Sequence, residues 1–367
     1  MKRDYPLPSD IPVDAPPTPG ETSVAAFEAA AAEPVFDWLY RVPRWLPTGH
    51  AQTIVPALFA RLPAVAYRRE RWTTPDGDFI DLDWLADDAW ADESSVAKPP
   101  LFVLFHGLEG SSDSHYARVL MAAAKARGWR GVVPHFRSCS GPMNLLPRFY
   151  HLADSAEVHW ILHRLKQQYG GPIVVAGVSL GGNVLLRWLC EREGDASIVD
   201  AAVAISAPLD VHAGGQAISQ GFGMVYTRSF LKTLKRKALA KLDQFPGLYD
   251  RETVLAARTL YEFDNVVTAP LHGFRDTNHY WTHATTRPLL PRITVPTLIL
   301  NARNDPFLPG SVLPSQAEVS AAVMLDQPDH GGHVGFMTGP FPGRIDWLSQ
   351  RVFGYLKTYV RPEYDRG

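Results

Sequence analysis

Val174–Trp188 reads VVAGVSLGGNVLLRW: an apolar run, a serine set among glycines, and then an amphipathic stretch. Gly177-Val178-Ser179-Leu180-Gly181 fits G-x-S-x-G. The pattern gains meaning from its setting, because it follows a strand-like run and opens a helix-like one, as a nucleophile elbow requires. A turn this tight tolerates only small residues beside the serine. It would hold the hydroxyl above the end of a sheet, beside a helix N-terminus whose free N–H groups favour developing negative charge. The same serine could instead be an ordinary N-cap, since serine caps many strand-to-helix turns. Local context divides the two readings evenly, and the rest of the chain has to decide.

Outward from this stretch, apolar runs alternate with helical patterns. LFVLF (Leu101–Phe105), GVVPHF, IVVAG and AAVAIS (Ala201–Ser206) read as strands, and HYARVLMAAAKAR and DSAEVHWILHRLKQQ as helices. In the second helix Val158, Ile161, Leu162 and Leu165 share one face. The alternation resumes with ITVPTLIL, a helical stretch near Ser315, AAVML and a terminal helix from Arg344. Upstream, YRRERWTTPDGDFIDLDWL reads as a hairpin about a Pro-Asp-Gly-Asp turn. Repeated β-α alternation with strands apolar on both faces predicts an α/β fold, a mostly parallel sheet flanked by helices. Between about 211 and 290 the rhythm breaks, which predicts a helical cap inserted over the carboxyl ends of the strands. Residues 1–34, rich in Pro, Ala and acid, read as a disordered arm, with the domain running from 35 to 367.

Bulk properties narrow the function. Of 367 residues, 46% are hydrophobic and 20% charged, the composition of a globular chain that needs no disulfide or metal for its core. A net charge of −2 carries no signature of nucleic-acid binding. Cys139 and Cys190 form no zinc spacing and suit a reduced, cytoplasmic setting. The polar N-terminus has no signal-peptide h-region, and no run of 18 apolar residues suggests a membrane span.

A serine hydroxyl needs a base, and the base needs an orienting acid. In this architecture both follow the serine in chain order. Asp305 lies just past the strand TLILNA, with Pro306 biasing its backbone toward an extended form. His333 lies in DQPDHGGHVGF, a Gly-rich loop before the last helix. His330 is the rival base, while Asp326 and Asp329 read as loop-capping or solvated. HGL after LFVLF corresponds to an oxyanion loop, so the backbone N–H groups of Leu108 and Leu180 are the candidate donors.

With these residues assembled, the chain resembles the α/β-hydrolase superfamily and, more narrowly, the YheT-like and abhydrolase-domain esterases. The stretches that carry the resemblance are GHAQT (Gly49–Thr53), FHGLEGSSDSHY, HFRSCSG, GVSLGGN, FDNVVTAPLHGF, ARNDPF and DHGGHVGF. The resemblance implies an α/β-hydrolase fold, a Ser179–Asp305–His333 triad and hydrolysis of esters, often with short acyl chains. Relatives act on lipids or transfer medium-length acyl groups. Ala51, Ser138 and Asn304 depart from the family pattern and bear on substrate shape. Some relatives carry a membrane-spanning N-terminus where this chain has a polar arm.

Other features have plainer readings beside the functional ones. RSFLKTLKRKALAKL (Arg228–Leu242) is a basic amphipathic helix that could touch a lipid surface, though a cap helix with a solvated basic face is the favoured reading. His159 and His163 have the i, i+4 spacing of a metal pair but lack the H-E-x-x-H glutamate. His106, Gly107, Phe274 and Trp281 are candidates for lining the substrate pocket, and Cys190 reads as a small buried hydrophobe. The expected activity is serine ester hydrolysis with no metal or cofactor. An acyltransferase or lipase using the same site, and a non-catalytic ligand-binding scaffold, are the alternatives.

Overall fold

The computed structural model describes residues 38–86 and 98–360, so the arm read over 1–34 lies outside the described residues. Eight strands form one sheet: β1 (Tyr67–Thr73), β2 (Phe79–Leu85), β3 (Leu101–Phe105), β4 (Arg130–Pro134), β5 (Ile173–Val178), β6 (Ala201–Ile205), β7 (Thr297–Leu300) and β8 (Val323–Asp326). Their order is β1-β2-β4-β3-β5-β6-β7-β8. The β1–β2 hairpin joins β4 antiparallel, and every pairing from β4 to β8 is parallel. The parallel strands β3, β5 and β6 are buried along their whole length, which is why they read as unbroken apolar runs. The hairpin keeps its register through charge: Arg69 faces Asp83 and Arg71 faces Asp81, each guanidinium donating two hydrogen bonds to the carboxylate opposite.

Helices cover both faces. α2 (His115–Ala126) lies on one side with α11 (Trp347–Leu356), whose Phe353 ring packs 4.9 Å from Phe102. On the other side, α3 (Ser155–Tyr169) turns Val158, Ile161, Leu162 and Leu165 into one core with Leu101, Val103 and Phe105. α4 (Leu180–Arg192) packs beside it. Ahead of the sheet, α1 (Gly49–Phe59) is capped by the Thr48 hydroxyl.

Between β6 and β7 the chain forms α5 (Val211–Ile218), α6 (Gly223–Gln244), α7 (Arg251–Ala256), α8 (Leu260–Phe263), α9 (Ala269–Leu271) and α10 (Thr277–Ala284). A π-helical turn at Asp264–Thr268 joins α8 to α9. This segment carries its own apolar cluster, which includes Leu231, Val254, Phe263 and Val267. The basic face of α6 is only partly solvated: Arg228, Lys232 and Arg236 are exposed, whereas Lys241 is fully buried and donates to the Asn144 carbonyl at 2.6 Å.

Two element ends differ from the sequence expectation. The stretch near Ser315 makes a single 3-10 turn, Gln316–Glu318, closed by a Ser315–Glu318 capping box. The last helix starts at Trp347, because the N–H and C=O of Arg344 are both bonded to Thr338 across a bridge. Among the described residues, no helix is long and apolar enough to cross a membrane.

Candidate active site

Ser179 stands between the last residue of β5 and the first of α4 with φ 54° and ψ −118°, a backbone conformation that costs a non-glycine residue energy. Three contacts hold the strained turn. The Ser179 N–H donates to the Ile205 carbonyl on β6, its carbonyl accepts from Asn183, and α4 crosses β3 closely at Gly181. A Cβ on Gly181 would collide with the carbonyls of Phe105 and His106, so the approach needs glycine. The buried Asn183 side chain then ties α4 to the segment above it, donating to Ala284 O at 2.9 Å and accepting from the Thr286 hydroxyl at 2.9 Å.

The Ser179 hydroxyl makes no capping bond to α4. It lies 3.0 Å from His333 Nε2, and His333 Nδ1 lies 2.8 Å from Asp305 Oδ2. Asp305 follows β7 with its carboxylate almost wholly buried, and its other oxygen accepts the Phe307 N–H at 2.7 Å. A carboxylate facing Nδ1 makes that nitrogen the donor and leaves the Nε2 lone pair to accept the serine O–H. Three residues from separate loops thus form one hydrogen-bonded chain. The rival groups lie elsewhere. His330 is exposed beside Asn304, Asp326 pairs with Arg351 at 2.5 Å, and the exposed Asp329 lies 3.8 Å from Arg303.

The loop after β3 presents a bare amide. Gly107 N–H donates to Tyr116 Oη and Glu109 N–H to Tyr150 Oη, both at 2.8 Å. The Leu108 amide between them has no protein acceptor among the described residues, and neither has the Leu180 amide. Leu108 and Leu180 line the same cavity as Ser179 and His333. Glu109 takes a left-handed conformation, φ 56°, and pairs with Lys237 of α6 at 2.6 Å, so a cap-side helix is tied to this loop.

The cavity measures about 140 Å³ and is mainly apolar, with Phe230, Leu234, Leu260 and Phe263 in its walls. Of the four substrate-side candidates, only Trp281 lines it. His106 lies behind the loop. It is fully buried, its Nδ1 donates to Gly107 O at 2.8 Å, and its Nε2 accepts the Phe136 N–H at 3.1 Å. Burial pushes this imidazole down to about 3, so it stays neutral and braces the loop from within. Gly107 is likewise no part of the cavity wall, its N–H bonded to Tyr116 Oη and its Cα side close against Ser179, where an added Cβ would meet Ser179 Cβ at 3.3 Å. Phe274 packs against Tyr280 and His151 instead. The His159 and His163 rings lie 4.2 Å apart at a tilt of 60°, with His159 accepting from Trp188. No group of three metal-ligating side chains gathers among the described residues.

Two features escaped sequence reasoning. Phe307 stacks face to face on His333, with ring centroids 4.0 Å apart and planes 12° from parallel. Asp264, in the π-helical turn, reaches the cavity wall with its carboxylate accepting from Thr268 and Trp281, and burial pushes it up to about 6. The phenylalanine of ARNDPF and the aspartate of FDNVVTAPLHGF stood in stretches already singled out, but nothing local to either tells where its side chain goes.

Comparison with known proteins agrees with this architecture. The family profile described as the alpha/beta hydrolase fold matches residues 100–340. The chain is 40% identical to "Putative esterase YheT" of Escherichia coli (strain K12), over 85% of this chain and 91% of that protein. It is 29% identical to "Phospholipase ABHD3" of Mus musculus, over 91% of this chain and 81% of that protein. A solved membrane phospholipase A, titled a bacterial virulence factor, shares the fold at TM-score 0.50 and 14% identity, covering 84% of this chain and 89% of its own. The chain therefore belongs to the α/β-hydrolase fold family, within which it is a YheT-like hydrolase of the esterase and lipase type.

Proposed function

We propose that the protein hydrolyses carboxylic esters of short to medium acyl chain through an acyl-enzyme on Ser179. The observation that carries this reading is the continuous chain Ser179 Oγ–His333–Asp305 at the rim of an apolar cavity. His333 takes the serine proton as Oγ attacks the ester carbonyl, then gives it to the leaving alcohol. Asp305 keeps Nδ1 protonated and steadies the imidazolium. The Leu108 and Leu180 amides, bare in the structure, receive the negative oxygen of the tetrahedral intermediate, where one such donor is typically worth about 10²–10³ in rate. A water deprotonated by His333 then frees the acid.

The cavity supports the acyl range. At about 140 Å³ it is close to the roughly 150 Å³ apolar cavity that accommodates a benzene ring, so chains near six carbons fill it. The name of the murine relative, a phospholipase, supports a lipid-like ester as the class of substrate.

The test is initial rates on p-nitrophenyl esters of graded acyl length, for the wild type and Ser179→Ala. The wild type is expected to favour the middle of the series, and the variant to lose at least about 10³-fold while unfolding at the same denaturant concentration. Undiminished turnover in a folded Ser179→Ala protein would overturn the reading.

A further inference from the structure

We propose that α1 is a positioning element for the reaction: the side chains of Gln52 and Thr53 hold the His333 loop and the Asp305 loop in one mutual register. The inference rests on reading Ser179, Asp305 and His333 as the reacting triad. α1 supplies no wall to the cavity, yet its buried residues are Gln52, Thr53 and Pro56 rather than an apolar stripe. Burying a carboxamide is costly unless each of its polar atoms finds a partner. Here the oxygens of both side chains, Gln52 Oε1 and Thr53 Oγ1, accept from the catalytic loops. Gln52 Oε1 accepts from the Gly331 N–H at 2.8 Å and from Asn304 Nδ2 at 2.9 Å, while its Nε2 donates to Leu46 O at 2.8 Å. Thr53 Oγ1 accepts the His333 N–H at 2.9 Å and donates to Gly49 O at 2.7 Å. Asn304, the residue before Asp305, accepts the Gly332 N–H at 3.0 Å.

Three consecutive amides, those of 331, 332 and 333, are thus each received by a side chain: Gln52, Asn304 and Thr53. The loop has no helix or strand of its own to satisfy them. It also runs through left-handed conformations at Val334 and Phe336, φ 61° and 42°, which persist only where the surroundings impose them. The backbones meet closely, since a Cβ on Gly335 would strike the Gln52 carbonyl. Gln52 bridges Asn304 and Gly331, and so couples the loop after β7 to the loop after β8. A loosened clamp would displace His333 relative to both Asp305 and Ser179. A shift of about 1 Å in such a group can cost on the order of 10²-fold in rate.

Thr53→Val removes the hydroxyl at nearly constant volume, and Thr53→Ser keeps it. Asn304→Ala removes two of the tethers at a half-buried position. Each is assayed for kcat and KM on a p-nitrophenyl ester, for its denaturation midpoint, and by proton NMR for the hydrogen-bonded His333 Nδ1–H. Thr53→Val and Asn304→Ala are expected to lose about ten- to a hundredfold in kcat with KM within about twofold, and to lose or broaden the Nδ1–H signal. Thr53→Ser should stay within about threefold of the wild type. Wild-type kcat with an unchanged signal in folded Thr53→Val and Asn304→Ala overturns the proposal. So does a loss in Thr53→Ser equal to that in Thr53→Val, because the hydroxyl would then not be the cause. If Thr53→Val fails to fold, Asn304→Ala decides by the same criteria. Ser179→Ala, run in parallel, separates the two levels. An active Ser179→Ala protein overturns the triad reading itself, whereas an inactive one beside undiminished clamp variants overturns only the role of α1.

Discussion

Replacing Lys237 with methionine tests whether the helical segment above the sheet holds the oxyanion loop in place. Lys237 Nζ lies 2.6 Å from Glu109 Oε1, and the two side chains are only 15% and 10% exposed. Their surroundings are apolar and aromatic on the cavity side. The methionine keeps most of the stem but leaves the Glu109 carboxylate with one neutral donor, the Tyr150 hydroxyl at 2.9 Å. Removing one partner of a buried pair typically costs about 3–5 kcal/mol, and the residual exposure here argues for the low end, about 3 kcal/mol. A pair with the energetics of an exposed ion pair would cost under about 1 kcal/mol. Adding Glu109→Gln removes the orphaned charge and keeps an oxygen for Tyr150, so the double variant should recover to within about 1 kcal/mol of the wild type. Urea unfolding of the four proteins of this cycle gives the coupling energy directly. The expected value is at least about 2 kcal/mol, and larger by whatever Glu109→Gln alone costs in leaving Lys237 without its carboxylate, with ester hydrolysis impaired in Lys237→Met and largely restored in the double variant. A loss below about 0.5 kcal/mol in Lys237→Met, or simple additivity in the cycle, would refute the reasoning.

Acid should unfold the protein through its buried histidines. Burial holds His106 down at about 3 and His115 at about 4, both below the value of an unfolded histidine. The unfolded chain therefore takes up protons first as pH falls through about 6.5, and stability declines from there downward. Each histidine removes about 2 kcal/mol by pH 5, while the raised carboxyls of Asp264 and Glu157 act in the opposite sense, so the test is a comparison. Between pH 8 and 5 the urea midpoint of His115→Gln should fall less than that of the wild type, and identical pH profiles would contradict the assignment. Phe307→Leu keeps apolar volume but removes the ring stacked on His333, where the imidazolium forms. The expected result is a three- to tenfold fall in kcat/KM, from an interaction of about 0.5–1.5 kcal/mol, with little change in unfolding midpoint. Unaltered kinetics would reduce the stack to packing.

The residues that could be read ahead of the structure share one property: their meaning is local or ordinal. Leu101–Phe105, Ile173–Val178 and Ala201–Ile205 are apolar throughout because strands covered on both faces admit little else. Ser179 stood out because a strand-to-helix reversal demands small neighbours, and Asp305 and His333 because they follow later strands in the expected order. The start of the last helix was misplaced by three residues, since Arg344 looks helix-compatible until Thr338 takes its backbone groups. His106 looked like a pocket residue because it adjoins the oxyanion loop, and only the packing around it shows the ring pointing inward to Phe136. Phe274 and Trp281 were equivalent aromatics in sequence, yet one braces the segment and the other faces the cavity.

Periodicity, turn chemistry and chain order by themselves determined the class of fold and the short roster of groups able to do the chemistry, because each depends on neighbours within a few residues. The tertiary structure alone decided which of those groups meet, which are walled off and which side chains, such as Gln52, Thr53, Lys237 and Phe307, hold them. Those contacts join positions as much as 280 residues apart, as between Thr53 and His333. They arise from the closing of the sheet and its loops upon one another, which no local pattern encodes.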